Sequence, residues 1–252
     1  MKDRLVLIEE FIDKNGKVTL HELENAFPNV SSMTLRRDLN RLEENNKVLK
    51  VPGGAVSVGT VLRAKEADFS ERINYNAKEK LEIADKAVNI IKPKSSIYID
   101  GGSTTTYFAR ALPDDNFYIM TNALVVAETI IRKSKPSVTL LGGDLTRNSF
   151  LTVGKSCIDL IDSVNLHTAV MTATGYIKET GSFSCGSQAE AEIKRKVISK
   201  ADYVIMLLDS SKINKKPPYT FANIRDIDCI VSDKNFPDSL AKEIEALGTN
   251  VY

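Results

Sequence analysis

The chain has 252 residues, enough for one large domain or for a small and a medium one, and its 42% hydrophobic and 27% charged content excludes a disordered polymer. A net charge of +1 marks it as neither strongly basic nor strongly acidic; no run nears the ~20 apolar residues of a membrane span, and Asp3, Glu9 and Glu10 argue against a signal peptide. A soluble, cytoplasmic protein with no membrane partner is expected.

In chain order, residues 3–14 carry Leu5, Ile8, Phe11 and Ile12 at helical spacing and stop at Asn15-Gly16. A second, short helix is predicted over 19–27, with Thr19 as cap, Glu22 three residues on, and Leu20, Leu23 and Phe27 facing inward. Pro28-Asn29 closes it. A third helix has Ser31 as N-cap and runs to about Asn45. Its inner stripe is Leu35, Leu39 and Leu42, so at about 100° per residue Met33, Arg36, Arg37 and Asn40 lie on or near the opposite face. Segments 47–51 and 55–56 then flank Pro52-Gly53-Gly54 as a hairpin with a glycine turn.

Two helices, a short turn and an arginine-bearing second helix make the arrangement that sets side chains in a DNA major groove. Arginine reaches guanine bidentately or a phosphate, and Asn40 suits adenine. The hairpin would be a wing against backbone or minor groove. Yet residues 1–57 balance nine Lys+Arg with nine Asp+Glu, and a charged helix face is usually only a solvated one. Composition therefore leaves both readings open. What favours DNA is concentration: between residues 31 and 42, Arg36, Arg37 and Arg41 face Asp38 alone.

The run VSSMTLRRDLNRLEE over 30–44, followed by PGGAV over 52–56, resembles the DeoR family of bacterial regulators. That family reads DNA with a Ser-x-x-Thr-[Ile/Leu]-Arg-Arg-Asp-Leu helix and a His-Gly-Gly-Ala wing. Here Pro52 stands in place of the wing histidine, and Asn46-Lys47 in place of a common glycine. The resemblance implies operator DNA as a partner, contacted by Ser32, Met33, Thr34, Arg36, Arg37, Asn40, Arg41, Lys50, Gly53 and Gly54. On this view Arg36, Arg37 and Asn40 read bases, while Thr34, Arg41 and Lys50 hold phosphates. Since paired half-sites need paired helices, a homo-oligomer, dimer or tetramer, is expected.

The DNA-binding domain is thus expected over 1–57, with a connector over 58–75 that lacks clear periodicity and contains Phe69-Ser70-Glu71-Arg72, similar to a short signature in the family. A larger domain is expected over 76–252. There helices predicted at 77–91 (Leu81, Ala84, Val88, Ile91), 104–112, 123–132, 188–200 and 238–246 interleave with strands at 97–99, 117–120, 138–141, 168–172, 203–208 and 228–231. Such alternation means an α/β, doubly wound, largely parallel sheet covered on both faces, with ligands beyond the carboxyl ends of the strands.

Polar clusters fall at those ends. Asp100-Gly101-Gly102-Ser103-Thr104-Thr105 follows one strand and opens a helix, where backbone amides favour an anion and hydroxyls can donate to it. Thr121-Asn122 and Gly142-Gly143 follow the next two strands, and Asp209 and Lys212 a later one. A single glycine turn is most often only a turn; three such ends favour a phosphate or sugar-phosphate pocket. No loop fits the ATP or dinucleotide fingerprints, so no cofactor is expected. Cys157, Cys185, Cys229, His21 and His167 show no ligand spacing, so no metal is expected either. Glu190 and Lys194, four apart, read from the residues alone as an ordinary helix ion pair.

These clusters, taken in order, also resemble the DeoR sensor domain, which is similar to the ribose-5-phosphate isomerase and glucosamine-6-phosphate deaminase fold and binds phosphorylated sugars. The resemblance adds Gly175, Glu190 and Lys194 to the expected ligand contacts. It implies a regulator, most often a repressor released by its effector. The alternative is a sugar-phosphate isomerase or deaminase using Glu190, or next Asp100, as base. Against it, the strand near 168–174 ends Met171-Thr172-Ala173-Thr174, without the acidic cluster of the isomerases. An enzyme also leaves the N-terminal motif unexplained, so no catalytic residue is expected.

Overall fold

The computed structural model describes residues 4–45, 47–51, 53–57, 71–147 and 149–252, in two compact units, Met1–Ser70 and Glu71–Tyr252. No helix among these residues is long and apolar enough to cross a membrane.

The first unit runs α1 (Arg4–Asn15), β1 (Lys17–Thr19), α2 (Leu20–Ala26), α3 (Ser32–Glu44), β2 (Val48–Val51) and β3 (Gly54–Ser57). Thr19 and Glu22 form the expected capping box: the Thr19 amide donates to Glu22 Oε2 at 2.7 Å and the Glu22 amide to Thr19 Oγ1 at 3.2 Å. Ser31 caps α3, its Oγ accepting from the Thr34 amide at 3.3 Å. Ile8, Ile12, Leu23, Leu35, Leu39 and Leu42 close one core with Val48 and Ala55. The hairpin β2–β3 gains a third, unanticipated strand in the order β1-β3-β2. Three residues are too few for alternation to show in a sequence. Asn46, Pro52 and most of the expected connector, 58–70, lie outside the described residues; residues 71–74 are helical.

The second unit runs α4 (Ala77–Val88), β4 (Ser96–Ile99), α5 (Ser103–Ala111), β5 (Tyr118–Thr121), α6 (Leu124–Ile131), β6 (Ser137–Leu140), β7 (Asp144–Leu145), β8 (Thr152–Val153), α7 (Lys155–Asp162), β9 (Leu166–Thr172), β10 (Gly175–Ile177), β11 (Ser182–Cys185), α8 (Gln188–Lys200), β12 (Ala201–Leu207), β13 (Tyr219–Asn223), β14 (Cys229–Val231), α9 (Asp238–Glu245) and β15 (Asn250–Val251). Seven strands pair in parallel in the order β15-β14-β12-β9-β4-β5-β6. Successive residues of each strand point to opposite faces, and across the central strands both faces are buried. Ile97, Ile99, Val170, Ile205 and Leu207 pack under α4, α5 and α6. Tyr98, Ala169, Met171, Val204 and Met206 pack under α7, α8 and α9. A small antiparallel sheet, β10-β11-β13, and the hairpin β7–β8 were not anticipated; their strands are only two to five residues long.

One helix face differs from expectation. On α4 Leu81 is 51% exposed, whereas Lys80, Ile83, Ala84 and Ala87 are buried. The buried stripe is i, i+3, i+4, i+7 starting from a lysine.

The chain leaves β4 for β5 and β6 on one side, then returns to place β9 on the other. The strand order reverses between β4 and β9, where a parallel sheet opens a crevice beyond its carboxyl ends.

Candidate functional site

In the first unit, Arg36, Arg37, Asn40 and Arg41 are exposed, and among the described residues their side chains have no hydrogen-bond or ion-pair partner. Asp38, the acid among them, is fully buried: Arg4 of α1 clamps it, Nε to Oδ2 at 2.7 Å and Nη2 to Oδ1 at 3.2 Å. A carboxylate that would repel phosphates is thereby drawn into the α1–α3 contact and neutralised. Met33 is 80% exposed and Ser32 also faces solvent, while the Thr34 hydroxyl bonds Ser31 Oγ at 2.9 Å. Lys50 is tied back towards α3, its amide donating to Glu43 Oε1 at 2.9 Å and its Nζ 3.9 Å from Oε2. In the hairpin Gly53 adopts φ +81° in open space, as a tip residue. Gly54 has a different reason: a Cβ there would sit 2.0 Å from Val18 O, so its smallness lets β1 lie against β3.

In the second unit the crevice between β4 and β9 is built around Asp100. Its Oδ2 accepts from the Thr172 amide at 3.1 Å and from Lys194 Nζ, which also donates to Thr172 O at 2.9 Å. Asp100 and Lys194 are 1% and 4% exposed. The helix pair Glu190–Lys194 expected from spacing is therefore corrected: α8 turns Lys194 inward on the stripe of Ala191 and Val197, and its charge is met across the sheet end. Glu190 is instead half-buried, with Ser149 Oγ of the β7–β8 hairpin 3.4 Å from its Oε1.

Gly101 and Gly102 lead into α5, whose N-terminus has no side-chain cap. The hydroxyls of Thr105 and Thr106 are spent on Gly102 O at 3.0 and 2.8 Å; those of Ser103 and Thr104 have no partner among the described residues. Unsatisfied amides and two free hydroxyls at a helix start have the chemistry that suits an anion. Thr121 accepts from the Ala123 amide at 3.0 Å. Asn122 is braced on both sides, accepting from Tyr98 Oη at 2.8 Å and donating to Thr152 O at 3.0 Å. Burial, then the Asp100 charge, holds the Tyr98 phenol well above its ordinary pKa, so it stays a donor. Gly142 O accepts from Cys157 Sγ at 2.7 Å, and Gly143 backs onto Val153 O in the hairpin. Gly175 lies in β10, where a Cβ would meet Lys215 O at 2.3 Å, so close packing there admits only glycine.

Asp209 and Lys212 follow β12, and with them stands a residue that sequence reasoning missed. Lys80 is 2% exposed, donates to the carbonyls of Arg72 and Tyr75, and feels the charges of Asp209 and Lys212. Burial lowers the pKa of both lysines, with Asp209 opposing. The signal was available, because Lys80 lies at helical spacing from Ile83, Ala84 and Ala87. Asp209 also accepts from Asn76 Nδ2 at 3.3 Å. A cavity of about 420 Å³ adjoins this corner at Tyr75, Asn76 and Ser211, and one of about 580 Å³ lies between the small sheet and α9. Neither is lined by Asp100 or Lys194.

A winged helix with unpaired arginines, followed by a parallel-sheet unit with an uncapped helix start at its switch point, fits a class: regulators that join a DNA-reading module to a sensor. Residues 4–61 match the DeoR-like helix-turn-helix domain and residues 75–234 the DeoR C terminal sensor domain. The chain belongs to the DeoR family of transcriptional regulators. It is 32% identical to the HTH-type transcriptional regulator IolR of Bacillus subtilis (strain 168), over 93% of this chain and 92% of that one. It is 29% identical to the L-fucose operon activator of Haemophilus influenzae, over 97% and 96%. The HTH-type transcriptional repressor GlcR of Bacillus subtilis (strain 168) is 28% identical over 92% and 88%. Among solved structures, ribose 5-phosphate isomerase A of Methanocaldococcus jannaschii aligns over 56% of each chain, with 20% identity and a TM-score of 0.42. That likeness bears on nothing the chain does.

Proposed function

We propose that this chain represses a sugar-metabolism operon in the cytoplasm, with its affinity for operator DNA set by a phosphorylated sugar bound in the second unit. The observation that carries the reading is the row of exposed, unpaired Arg36, Arg37, Asn40 and Arg41, with Asp38 neutralised beneath it. An arginine row left without acids is one ready for phosphates and base edges. Residues 1–57 serve as the DNA-binding domain, 58–75 as connector and 76–252 as sensor. Two such domains, one per protomer of a homo-oligomer, address half-sites about 34 Å apart.

For the effector, the uncapped α5 with Ser103 and Thr104 takes the phosphate. Asp100, Glu190 and Lys194 meet sugar hydroxyls, and the Lys80–Asp209–Lys212 corner adds positive charge. Thr121 and Asn122 shape the crevice, as do the glycines at 101, 102, 142 and 143. Binding without turnover fits Asp100, which is held by Lys194 and the Thr172 amide and so is poorly placed to take a proton from carbon. An effector acts only through its differential affinity for the DNA-competent and DNA-incompetent arrangements. The decisive measurement is fluorescence anisotropy of the full chain on its own upstream region and on random DNA, at one salt concentration, with and without a panel of phosphorylated sugars. The upstream region should bind more tightly, and one sugar phosphate should release it. Equal affinity for both DNAs under every condition would sink the reading.

A further inference from the structure

The reading stripe of α3 contains one residue that no charge or hydrogen bond explains. At about 100° per residue, Met33, Arg36, Arg37 and Asn40 fall within about 100° of arc, and over about 1.5 Å per residue they span about 10 Å, roughly three base-pair steps. Three of the four are polar, and Met33 opens the row. It is 80% exposed, more than any other large hydrophobic side chain of the described residues; Tyr118 and Ile131 follow at 66% and 65%. It belongs to no core cluster, unlike Leu35, Leu39 and Leu42 on the same helix.

A thioether chain reads a base edge only by van der Waals contact. On the major-groove edges of the four bases the one apolar group is the C5-methyl of thymine. The first turn of a reading helix is the part that points at base edges, and Met33 is in it, beside the Ser31–Thr34 cap that fixes the backbone there. An unbranched, polarizable side chain also reaches and adapts more than a branched one would.

The geometry points to Met33 as a specificity residue that packs on a thymine methyl in each operator half-site, at the end of the triplet opposite Asn40. The inference rests on the regulatory reading above and names what its reading helix selects. Arginine and asparagine set donors against guanine and adenine, and Met33 supplies the apolar contact that makes a thymine preferred over cytosine at its position.

The test is a scan in which each thymine of the footprinted upstream site is replaced singly by deoxyuridine, which deletes the methyl and leaves base pairing intact. The full chain and Met33→Ala are titrated on every duplex, with Met33→Leu as the conservative variant. Because the side chain is solvated and alanine favours helix, Met33→Ala should match the native urea midpoint. Deoxyuridine at one thymine per half-site should weaken the native protein about fourfold, the value of one buried methyl. The same duplex should leave Met33→Ala affinity unchanged, while Met33→Leu should keep most of the loss. A methyl loss that persists in Met33→Ala, or no sensitive thymine at all in a site the protein prefers over random DNA, overturns the assignment alone. Failure to prefer any upstream DNA overturns the regulatory reading, and this assignment with it.

Discussion

Arg37 and Lys194 show how differently two cations act. Arg37 is exposed and unpaired, so its energy is spent outside the chain. Arg37→Ala should cost roughly 1–3 kcal/mol of operator binding in a titration, with the urea midpoint unmoved. Unchanged operator affinity would remove it from the reading face. Lys194 is buried against Asp100, and removing it strands a carboxylate. Lys194→Met should destabilise the sensor unit by about 3–5 kcal/mol in urea unfolding, and the double variant Asp100→Asn/Lys194→Met should recover part of the loss. A cost below about 1 kcal/mol, or no recovery, would contradict the pairing. The sequence shows the first cation's exposure and conceals the second's partner. An exposed residue announces itself by helical phase, whereas the partner of a buried one lies 94 positions away on another element. Arg4 and Asp38, 34 apart, were concealed for the same reason.

Elements were legible where they are long or capped. The Thr19–Glu22 box and the Ser31 cap fix the starts of α2 and α3 through their own side chains, and apolar runs covered on both faces mark the central strands. Except for β14, whose three residues are a buried apolar run, strands of two or three residues were illegible, because so short a piece forms only where a neighbour supplies its hydrogen bonds. The strand β1 is such a piece, held by its register with β3, in which Thr19 pairs with Gly54. Gly54→Ala should therefore push β1 away and destabilise the DNA-binding unit by roughly 1–3 kcal/mol, the cost of overpacking. Gly53→Ala, with open space around it, should cost only about 1 kcal/mol for its left-handed backbone. Differential scanning calorimetry of the two variants compares them directly, and a larger loss at Gly53 would invert the account of the hairpin.

At the scale of the whole sensor unit, buried acids that must stay protonated set a limit at high pH. Burial raises the pKa of the thiols of Cys157, Cys185 and Cys229 and of the phenols of Tyr98, Tyr176 and Tyr203, with Cys229 pushed up to about 11. Between the ordinary thiol value of 9.0 and about 11, the unfolded chain has shed the Cys229 proton while the folded one keeps it. Stability therefore falls as pH rises through that window, by an amount on the order of 2–3 kcal/mol for this thiol. Lys80 and Lys212, shifted down, act in the opposite sense, so the test compares native protein with Cys229→Ala at pH 8 and pH 11. The native protein's stability, measured against the variant's, should drop between the two. A difference that does not change with pH would refute the buried-thiol account.

Sheet order has a further consequence, one that concerns birth rather than equilibrium. The core of the first unit is complete by Ala55, but the crevice needs β4 and β9 side by side, with Lys194 arriving later still. Emerging from the ribosome, the chain completes the helix-turn-helix unit long before the crevice of the sensor unit. A product cut short by a nonsense codon between those points would hold its DNA-reading fold and be deaf to the nutrient signal.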